Sequence, residues 1–166
     1  MLPRTADGSN GGGQKMKKIL YILMGLAVMA GCKEKPTPKP PVPEETLAEK
    51  IVGEWHCVVS DIDADIYLEL VSTSTFELYQ KIGEGSHRLY RGTWSLNEDT
   101  GTLTGKYNDG TSWGSGYAVS ISEDQNSMTL TPSEGSEQVY RRGDIPSEIR
   151  DNSVIVVKSE DQSPVL

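Results

Sequence analysis

The sequence predicts an all-β fold, an eight-stranded antiparallel up-and-down barrel, preceded by a signal peptide and a proline-rich tether. Two observations predict the barrel. Apolar and polar residues alternate at period two over eight short segments between residues 51 and 142, which is the pattern of half-buried strands. The turns between these segments are too short for parallel pairing, which needs a dozen or more residues. Eight strands in a meander leave two unpaired edges unless the sheet closes on itself.

The side chains expected to face the barrel interior occupy every second position of each strand. In chain order these inward sets are Ile51, Gly53, Trp55, Cys57 and Val59; Ile66, Leu68 and Leu70; Phe76 and Leu78; Tyr90, Gly92, Trp94 and Leu96; Leu103, Gly105 and Tyr107; Tyr117, Val119 and Ile121; Met128 and Leu130; Tyr140 and Arg142. Ahead of the first strand, Thr46 is followed three residues later by Glu49. This is a capping-box pattern and predicts one short helical turn.

The first residues of the chain indicate export. Lysines precede an apolar run over residues 19–29, and the small residues that follow complete a secretory signal. The run would span only about 16 Å as a helix, against a hydrocarbon core of about 30 Å, so a cleaved signal is favoured over a transmembrane helix. Residues 1–15 fit no part of a signal, which predicts that Met16 is the true start.

The end of the signal, Met29-Ala30-Gly31-Cys32, resembles the bacterial lipobox, although Met29 stands where Leu, Val or Ile is usual. The resemblance implies that residues 1–31 are removed and that Cys32 carries lipid, including palmitate. The alternative is an ordinary secreted protein whose cysteine lies near the cleavage site by chance. The lipid would place the protein in the cell envelope as an outer-membrane lipoprotein, facing the periplasm or the cell surface.

Composition divides the rest of the chain. Residues 32–46 form the lipidated N-terminus and a proline-rich linker, residues 47–145 the barrel, and residues 146–166 a tail with a possible short helix and extra strand, or a solvated tail. Cleavage after residue 31 removes four of the 16 basic and one of the 24 acidic side chains, which takes the formal charge from −8 to −11. So acidic a surface repels phosphate backbones and anionic lipid. We therefore expect no nucleic-acid partner and attachment to the membrane through lipid alone.

Three motifs make the fold prediction more specific: Gly53-Glu54-Trp55, Gly92-Thr93-Trp94-Ser95-Leu96 and Tyr140-Arg141-Arg142. Together they resemble the lipocalin pattern, and more closely the lipocalin-like domains of Bacteroidetes lipoproteins, over about residues 51–142. The resemblance implies that Gly53, Trp55 and Arg142 close one end of the barrel, with the arginine packed across the tryptophan ring as a cation–π contact.

The search for catalytic or metal-binding residues finds no motif that demands a reaction. Cys57 is expected to be an inward apolar filler, and His56 and His87 are expected to be surface histidines on strand faces opposite the aromatic set. The acidic run over residues 61–65 differs from a calcium loop, because the twelfth position is Ser72 where glutamate is required. We expect no enzyme activity, no cofactor and no metal.

The inward aromatic residues are the remaining candidates for a function. The proposed ligand-binding set is Trp55, Phe76, Tyr90, Trp94, Tyr107, Trp113 and Tyr117, with Trp113 expected at the rim as a gate. These rings either fill the barrel or line a pocket for a small hydrophobic or amphipathic guest. The inward glycines Gly92 and Gly105 favour some free volume. A filled barrel would instead suit a scaffold, interaction or inhibitor module that engages another envelope protein.

Overall fold

A computed structural model describes residues 43–158 and 164–166. The predicted signal peptide, the predicted start at Met16, the predicted lipidation site Cys32 and most of the predicted linker lie outside these residues. Within them the predicted fold is confirmed. Eight antiparallel strands pair in chain order and the eighth pairs with the first, which closes an up-and-down barrel.

The described elements follow one another with short connections. In order they are α1 Leu47–Ile51, β1 Gly53–Val59, a 3-10 turn Ser60–Ile62, β2 Ala64–Leu70, β3 Thr75–Ile82, β4 Arg88–Asn97, β5 Thr102–Tyr107, β6 Tyr117–Ile121, β7 Ser127–Pro132, β8 Gln138–Arg142, α2 Ser147–Asn152 and β9 Val154–Ile155. Among these elements, no helix has the length and apolar character that crossing a membrane requires.

One end of the barrel, here called the α1 end, is covered by the first helix. Thr46 and Glu49 form the predicted capping box. The indole N–H of Trp55 donates to the backbone oxygen of Ile51 at 2.8 Å, which joins the helix to the first strand. The opposite end, where β3 and β5 finish and β6 begins, is here called the tail end because it receives residues 164–166.

Two joints of the barrel wall have only two residue pairs each, β1 with β8 and β5 with β6, and the second is here called the seam. β5 and β6 pair only through Thr102 with Ala118 and Leu103 with Tyr117. Beyond them the connection folds back on β5, and the backbone N–H of Trp113 donates to the oxygen of Gly105 at 2.9 Å. The connecting loop therefore pairs with β5 where β6 does not, and the Trp113 ring lies against Gly105.

The interior is densely filled, and the inward glycines do not leave free volume as expected. A Cβ on Gly92 would lie 2.0 Å from the backbone oxygen of Lys106 and 2.7 Å from Phe76. A Cβ on Gly105 would lie 2.2 Å from the Trp113 ring. At each glycine the space of a side chain is occupied by a neighbouring ring or backbone. The expectation of free volume beside Gly92 and Gly105 is therefore wrong.

The second helix lies on the outside of the barrel. Ile145 and Ile149 pack with Tyr79 and Leu89 in a small satellite cluster. Arg150 forms ion pairs with Glu54 and Glu69 at 2.9 Å each, and it also faces Glu77 at 3.6 Å. One cation thus joins α2 to three neighbouring strands. β9 then pairs in parallel with the start of β4.

Candidate functional site

Five of the seven candidate ligand-binding residues form one connected cluster of rings. Phe76 meets Trp113 edge-on at 5.1 Å and Tyr107 edge-on at 5.7 Å between ring centroids. Tyr90 lies 5.9 Å from Tyr107, and Tyr117 lies 6.0 Å from Trp113. Strands β3, β4, β5 and β6 supply four of these rings and the seam loop supplies the fifth, so the cluster extends across one side of the interior.

Two tyrosine hydroxyls of this cluster are hydrogen-bonded to the last residues of the sequence. The Tyr107 hydroxyl donates to the backbone oxygen of Leu166 at 2.7 Å, and the Tyr117 hydroxyl donates to that of Val165 at 3.2 Å. The backbone N–H of Val165 donates to Oε1 of Gln80 at 2.8 Å. Leu166 is only 2% exposed and belongs to the main core. The tail end of the barrel therefore holds the backbone of residues 165 and 166.

The two tyrosines that contact this peptide stay protonated. Burial raises the pKa of the Tyr107 hydroxyl far above its ordinary value, and burial also raises the pKa of Tyr117. Desolvation disfavours the phenolate, so both groups act as neutral donors at physiological pH. Anything that occupies this space must supply acceptor oxygens to both.

Trp113 is buried inside the wall, 5% exposed, and is not the exposed rim residue that the sequence suggested. Its ring lies against Gly105, and its indole N–H is the buried side-chain donor without a partner among the described residues. An unsatisfied buried donor typically costs about 1–3 kcal/mol. Outside the ring, a groove of about 560 Å³ runs along the seam, lined in part by Thr104, Lys106 and Ser115.

The other two candidates lie apart from the cluster's hydrogen bonds and have partners of their own. Trp94 donates from its indole N–H to the backbone oxygens of Val71 and Thr75, at 3.1 and 3.0 Å, in the turn between β2 and β3. Trp55 is fully buried at the α1 end, where the Arg142 guanidinium lies 4.1 Å from its ring centroid. The pair implied by the lipocalin resemblance is thus in contact, and Trp55 and Arg142 are opposite one another in the β1–β8 register.

Gly53 completes this closure in a way that depends on its lacking a side chain. Its φ is +133°, and a Cβ would lie 2.4 Å from a guanidinium nitrogen of Arg142. The same guanidinium donates to the backbone oxygens of Lys50, Val52 and, through Nε, Gln125. The arginine therefore ties β8 to the end of α1 and to the turn between β6 and β7.

The two histidines are not isolated surface residues. His56 Nε2 lies 2.7 Å and His87 Nε2 lies 3.1 Å from the two carboxylate oxygens of Asp65 on the outside of the barrel. Tyr67 stacks on His56 with ring centroids 4.2 Å apart. His87 precedes β4, so it is not on a strand, and its side chain is 11% exposed. The expectation for His87 is corrected because Asp65 and Tyr67, on the outer face of β2, contact its ring.

The His87 site predicts a pH-dependent contribution to stability. Burial lowers the pKa of its imidazole, while Asp65 opposes the shift and Lys81 and His56 add to it. The unfolded chain takes up a proton near pH 6.5, so below that pH it binds more protons than the folded protein. Stability is then lost as the pH falls from about 6.5 towards the lowered pKa. Urea unfolding should show a steeper loss between pH 7 and 5 for the wild type than for His87→Gln. Ser86→Ala is the matched control, and parallel profiles for wild type and His87→Gln would contradict this assignment.

In the part of the chain that the structure describes, no group of three or more potential ligands could hold a metal ion. Cys57 is buried, and burial raises the pKa of its thiol, which disfavours the nucleophilic thiolate. The acidic run forms the 3-10 turn and a left-handed residue at Asp63. Asp65, the last of the run, faces the two histidines.

Three residues of the tail end were not predicted from the sequence: Gln80, Val165 and Leu166. Gln80 continues the inward alternation of Phe76 and Leu78, and a glutamine in such a position was a usable signal because a buried amide needs partners. It is 1% exposed. Val165 and Leu166 offered little signal, since two apolar residues after a polar stretch do not indicate where they bind.

The comparisons with known proteins leave the family open. No family model matches the chain, and no curated protein matches it either. Among solved structures, the chain is similar to an NMR structure of a protein from Bacteroides uniformis. The two share 15% sequence identity with a TM-score of 0.48, over 60% of this chain and 94% of that one.

Proposed function

We propose that the protein is a lipid-anchored, lipocalin-like binding protein of the cell envelope that holds a small hydrophobic or amphipathic ligand at the tail end of its barrel. The observation that carries the proposal is the pair of inward tyrosine hydroxyls. Tyr107 and Tyr117 donate to the backbone of residues 165 and 166, which belong to none of the described strands. A space that accepts a short peptide has the apolar walls and polar groups of a ligand site.

The chemistry of this space suits binding and not catalysis. Phe76, Tyr90 and Trp113 offer ring faces and edges to an apolar group, while the two hydroxyls orient an oxygen-bearing group. Neither histidine lies in this space, because both contact Asp65 on the outer face. We therefore assign no reaction, no cofactor and no metal to the protein.

Lipid anchoring rests on the sequence Met29-Ala30-Gly31-Cys32 and on the acidic charge of the mature chain. Two or more acyl chains are sufficient for stable attachment, whereas an acidic surface is not. We expect Cys32→Ser to abolish labelling by radioactive palmitate and to move the protein from the membrane to the soluble fraction or to leave it as precursor. Palmitate labelling that persists in Cys32→Ser would contradict the anchor, and Cys57→Ser is the matched control that should retain the label.

Native mass spectrometry tests the ligand. A chain beginning at residue 32 and carrying Cys32→Ser should be purified from its own host and measured before and after solvent extraction. We expect an adduct that extraction removes. Occupancy should fall several-fold in the double variant Tyr107→Phe, Tyr117→Phe and stay unchanged in Tyr67→Phe, whose hydroxyl is on the outer face. A protein that is ligand-free and takes up none of decanoic acid, N-decanoyl-leucine and N-acetyl-valyl-leucine would contradict the binding function.

A second candidate function, a filled barrel that engages another envelope protein, is favoured by exposed apolar residues on its outside. Val58 and Val139, on the paired strands β1 and β8, are 62% and 45% exposed. Ile62 and Ile82 are also exposed near the tail end. Crosslinking in the host that yields one defined partner, and that is lost in Val58→Ser, Val139→Ser, would favour this function over ligand binding.

A further inference from the structure

The last three residues of the sequence occupy the tail end of the barrel without belonging to its sheet. Leu166 is buried in the main core, and Val165 packs against it. Tyr107, Tyr117 and Gln80 bind their backbone from three different strands, β5, β6 and β3. We propose that residues 164–166 are a displaceable plug that competes with the ligand, and that the ligand shares the plug's chemistry: an amide and a branched aliphatic end. This inference rests on the proposed binding function.

The contacts of the plug are of the kind that a ligand could replace. Among the described residues its backbone is hydrogen-bonded to side chains, and the eight strand pairings that close the barrel do not include it. Val157, which is 80% exposed, and Lys158, also exposed, are the last residues that the structure describes before the plug. Ordering three residues costs conformational entropy that opposes the gain from one buried leucine and three hydrogen bonds. Removal of the plug is therefore expected to leave the barrel intact.

The hydrogen bonds specify what can take the place of the plug. Both tyrosine hydroxyls are protonated donors, so the ligand must present two acceptor oxygens at the spacing of neighbouring carbonyls. Gln80 accepts from an N–H, so the ligand must also present a donor. Leu166 adds a branched aliphatic group among buried apolar side chains. Short apolar peptides and N-acyl amino acids have all of these groups, whereas a simple fatty acid lacks the N–H.

An attached plug lowers the apparent affinity of the site by the fraction of time for which the site is free. If the plug occupies the site about 90% of the time, the apparent affinity for a ligand falls about tenfold. If it occupies the site about 99% of the time, the apparent affinity falls about a hundredfold. Binding of a ligand would in turn release residues 164–166 from the barrel. The position of residues 164–166, inside or outside the barrel, would then indicate whether a ligand is bound.

The experiment is a titration of three probes into the wild-type chain from residue 32 with Cys32→Ser, and into the same chain lacking residues 164–166. The probes are N-acetyl-valyl-leucine, N-decanoyl-leucine and decanoic acid. We expect the deletion to tighten every probe that enters the site by the same factor, tenfold or more, because the plug blocks the site whichever probe is used. N-acetyl-valyl-leucine and N-decanoyl-leucine should bind the deletion more tightly than decanoic acid, which lacks the N–H. In the deletion background, Tyr107→Phe should reverse most of the gain. Val157→Ser, an exposed change in the same tail, should bind as the wild type does.

The outcomes separate the plug from the binding function. Equal affinities with and without residues 164–166 would overturn the plug and leave the binding function standing. Binding of decanoic acid as tightly as N-decanoyl-leucine to the deletion would overturn the amide requirement. Failure of every probe to bind either protein would overturn both proposals. The natural ligand is a peptide if N-acetyl-valyl-leucine binds more tightly, and an N-acyl amino acid if N-decanoyl-leucine does.

A second measurement covers the case in which the deletion destabilises the barrel. Leu166→Ser keeps the length of the chain and removes only the buried aliphatic group. N-acetyl-valyl-leucine added to this variant or to the deletion should raise the melting temperature in proportion to the logarithm of its concentration. An equal rise in the wild type and in Leu166→Ser would overturn the plug and leave the binding function standing, whereas no rise in any of the proteins at millimolar peptide would overturn both.

Discussion

Replacing Trp55 with alanine is expected to lower the free energy of unfolding by about 3–5 kcal/mol, the usual cost of removing a large ring from a core. The ring is fully buried at the α1 end. Its indole N–H donates a hydrogen bond to the backbone oxygen of Ile51 at 2.8 Å, so the substitution also removes a link between α1 and the first strand. A loss of this size is a large share of the roughly 5–15 kcal/mol available to a whole domain. Urea unfolding followed by circular dichroism measures it.

Arg142 gives a test of whether the ring and the guanidinium act as one unit. Arg142→Ala alone is expected to cost about 1–3 kcal/mol, because it removes the contact with the Trp55 ring and the bonds to three backbone oxygens. In a double-mutant cycle the two losses should fall short of additivity by about 0.5–3 kcal/mol, as for other residues in contact.

Two controls make the cycle interpretable. Arg141→Ala removes a neighbouring exposed arginine on the opposite face and should change stability by no more than about 0.5 kcal/mol. Trp55→Phe keeps an aromatic ring under Arg142 but loses the bond to Ile51, so it should cost less than alanine. Strict additivity of Trp55→Ala and Arg142→Ala would mean that the implied cation–π contact contributes nothing to the fold.

The fold was predictable because its signal repeats in every strand. Period-two alternation with short turns appears eight times, and a one-residue shift in any strand would turn its apolar set towards solvent. Trp55 and Arg142 lie nearly ninety residues apart, and only the resemblance to the lipocalin pattern connected them. The capping box at Thr46 was equally local and therefore equally readable.

The candidate site was only partly predictable. Alternation identified Phe76, Tyr90, Tyr107 and Tyr117 as inward residues, since strand periodicity fixes the face on which a side chain lies. It could not show that Trp113, in an irregular loop, fills the space above Gly105. Nor could it show that residues 164–166 return to the barrel, because that contact depends on three-dimensional closure and has no period.

The seam between β5 and β6 is where the largest effect outside the α1 end is expected. Gly105→Ala would place a Cβ 2.2 Å from Cε2 of Trp113 and 2.6 Å from Cζ2, closer than real Cβ contacts allow. The backbone of Gly105 is held in place, because its oxygen accepts a hydrogen bond from the backbone N–H of Trp113 and because Gly105 pairs with Trp94 on β4. The indole is therefore the group that must move.

We expect Gly105→Ala to expel the Trp113 ring from the wall and to lower the free energy of unfolding by about 2–4 kcal/mol. This lies between the ~1–3 kcal/mol typical of an overpacked core and the ~3–5 kcal/mol typical of losing a tryptophan. The expelled ring should also lose its contacts with Phe76 and Tyr117. Tryptophan fluorescence should therefore shift to the red and become accessible to iodide, whereas Trp55 and Trp94 remain buried.

Gly114→Ala is the matched control for this prediction. It lies one residue from Trp113 in the same loop, and a Cβ there has no neighbour within 4 Å. It should leave both stability and fluorescence close to those of the wild type. A second comparison uses Gly105→Ala in a chain that carries Trp113→Gly, where the space above residue 105 is already empty. There the alanine should cost little or nothing, because its methyl group no longer meets a ring. An equal cost in the presence and absence of the indole would mean that the glycine is required by the β5 backbone and not by Trp113. The seam would then be closed by something other than this ring.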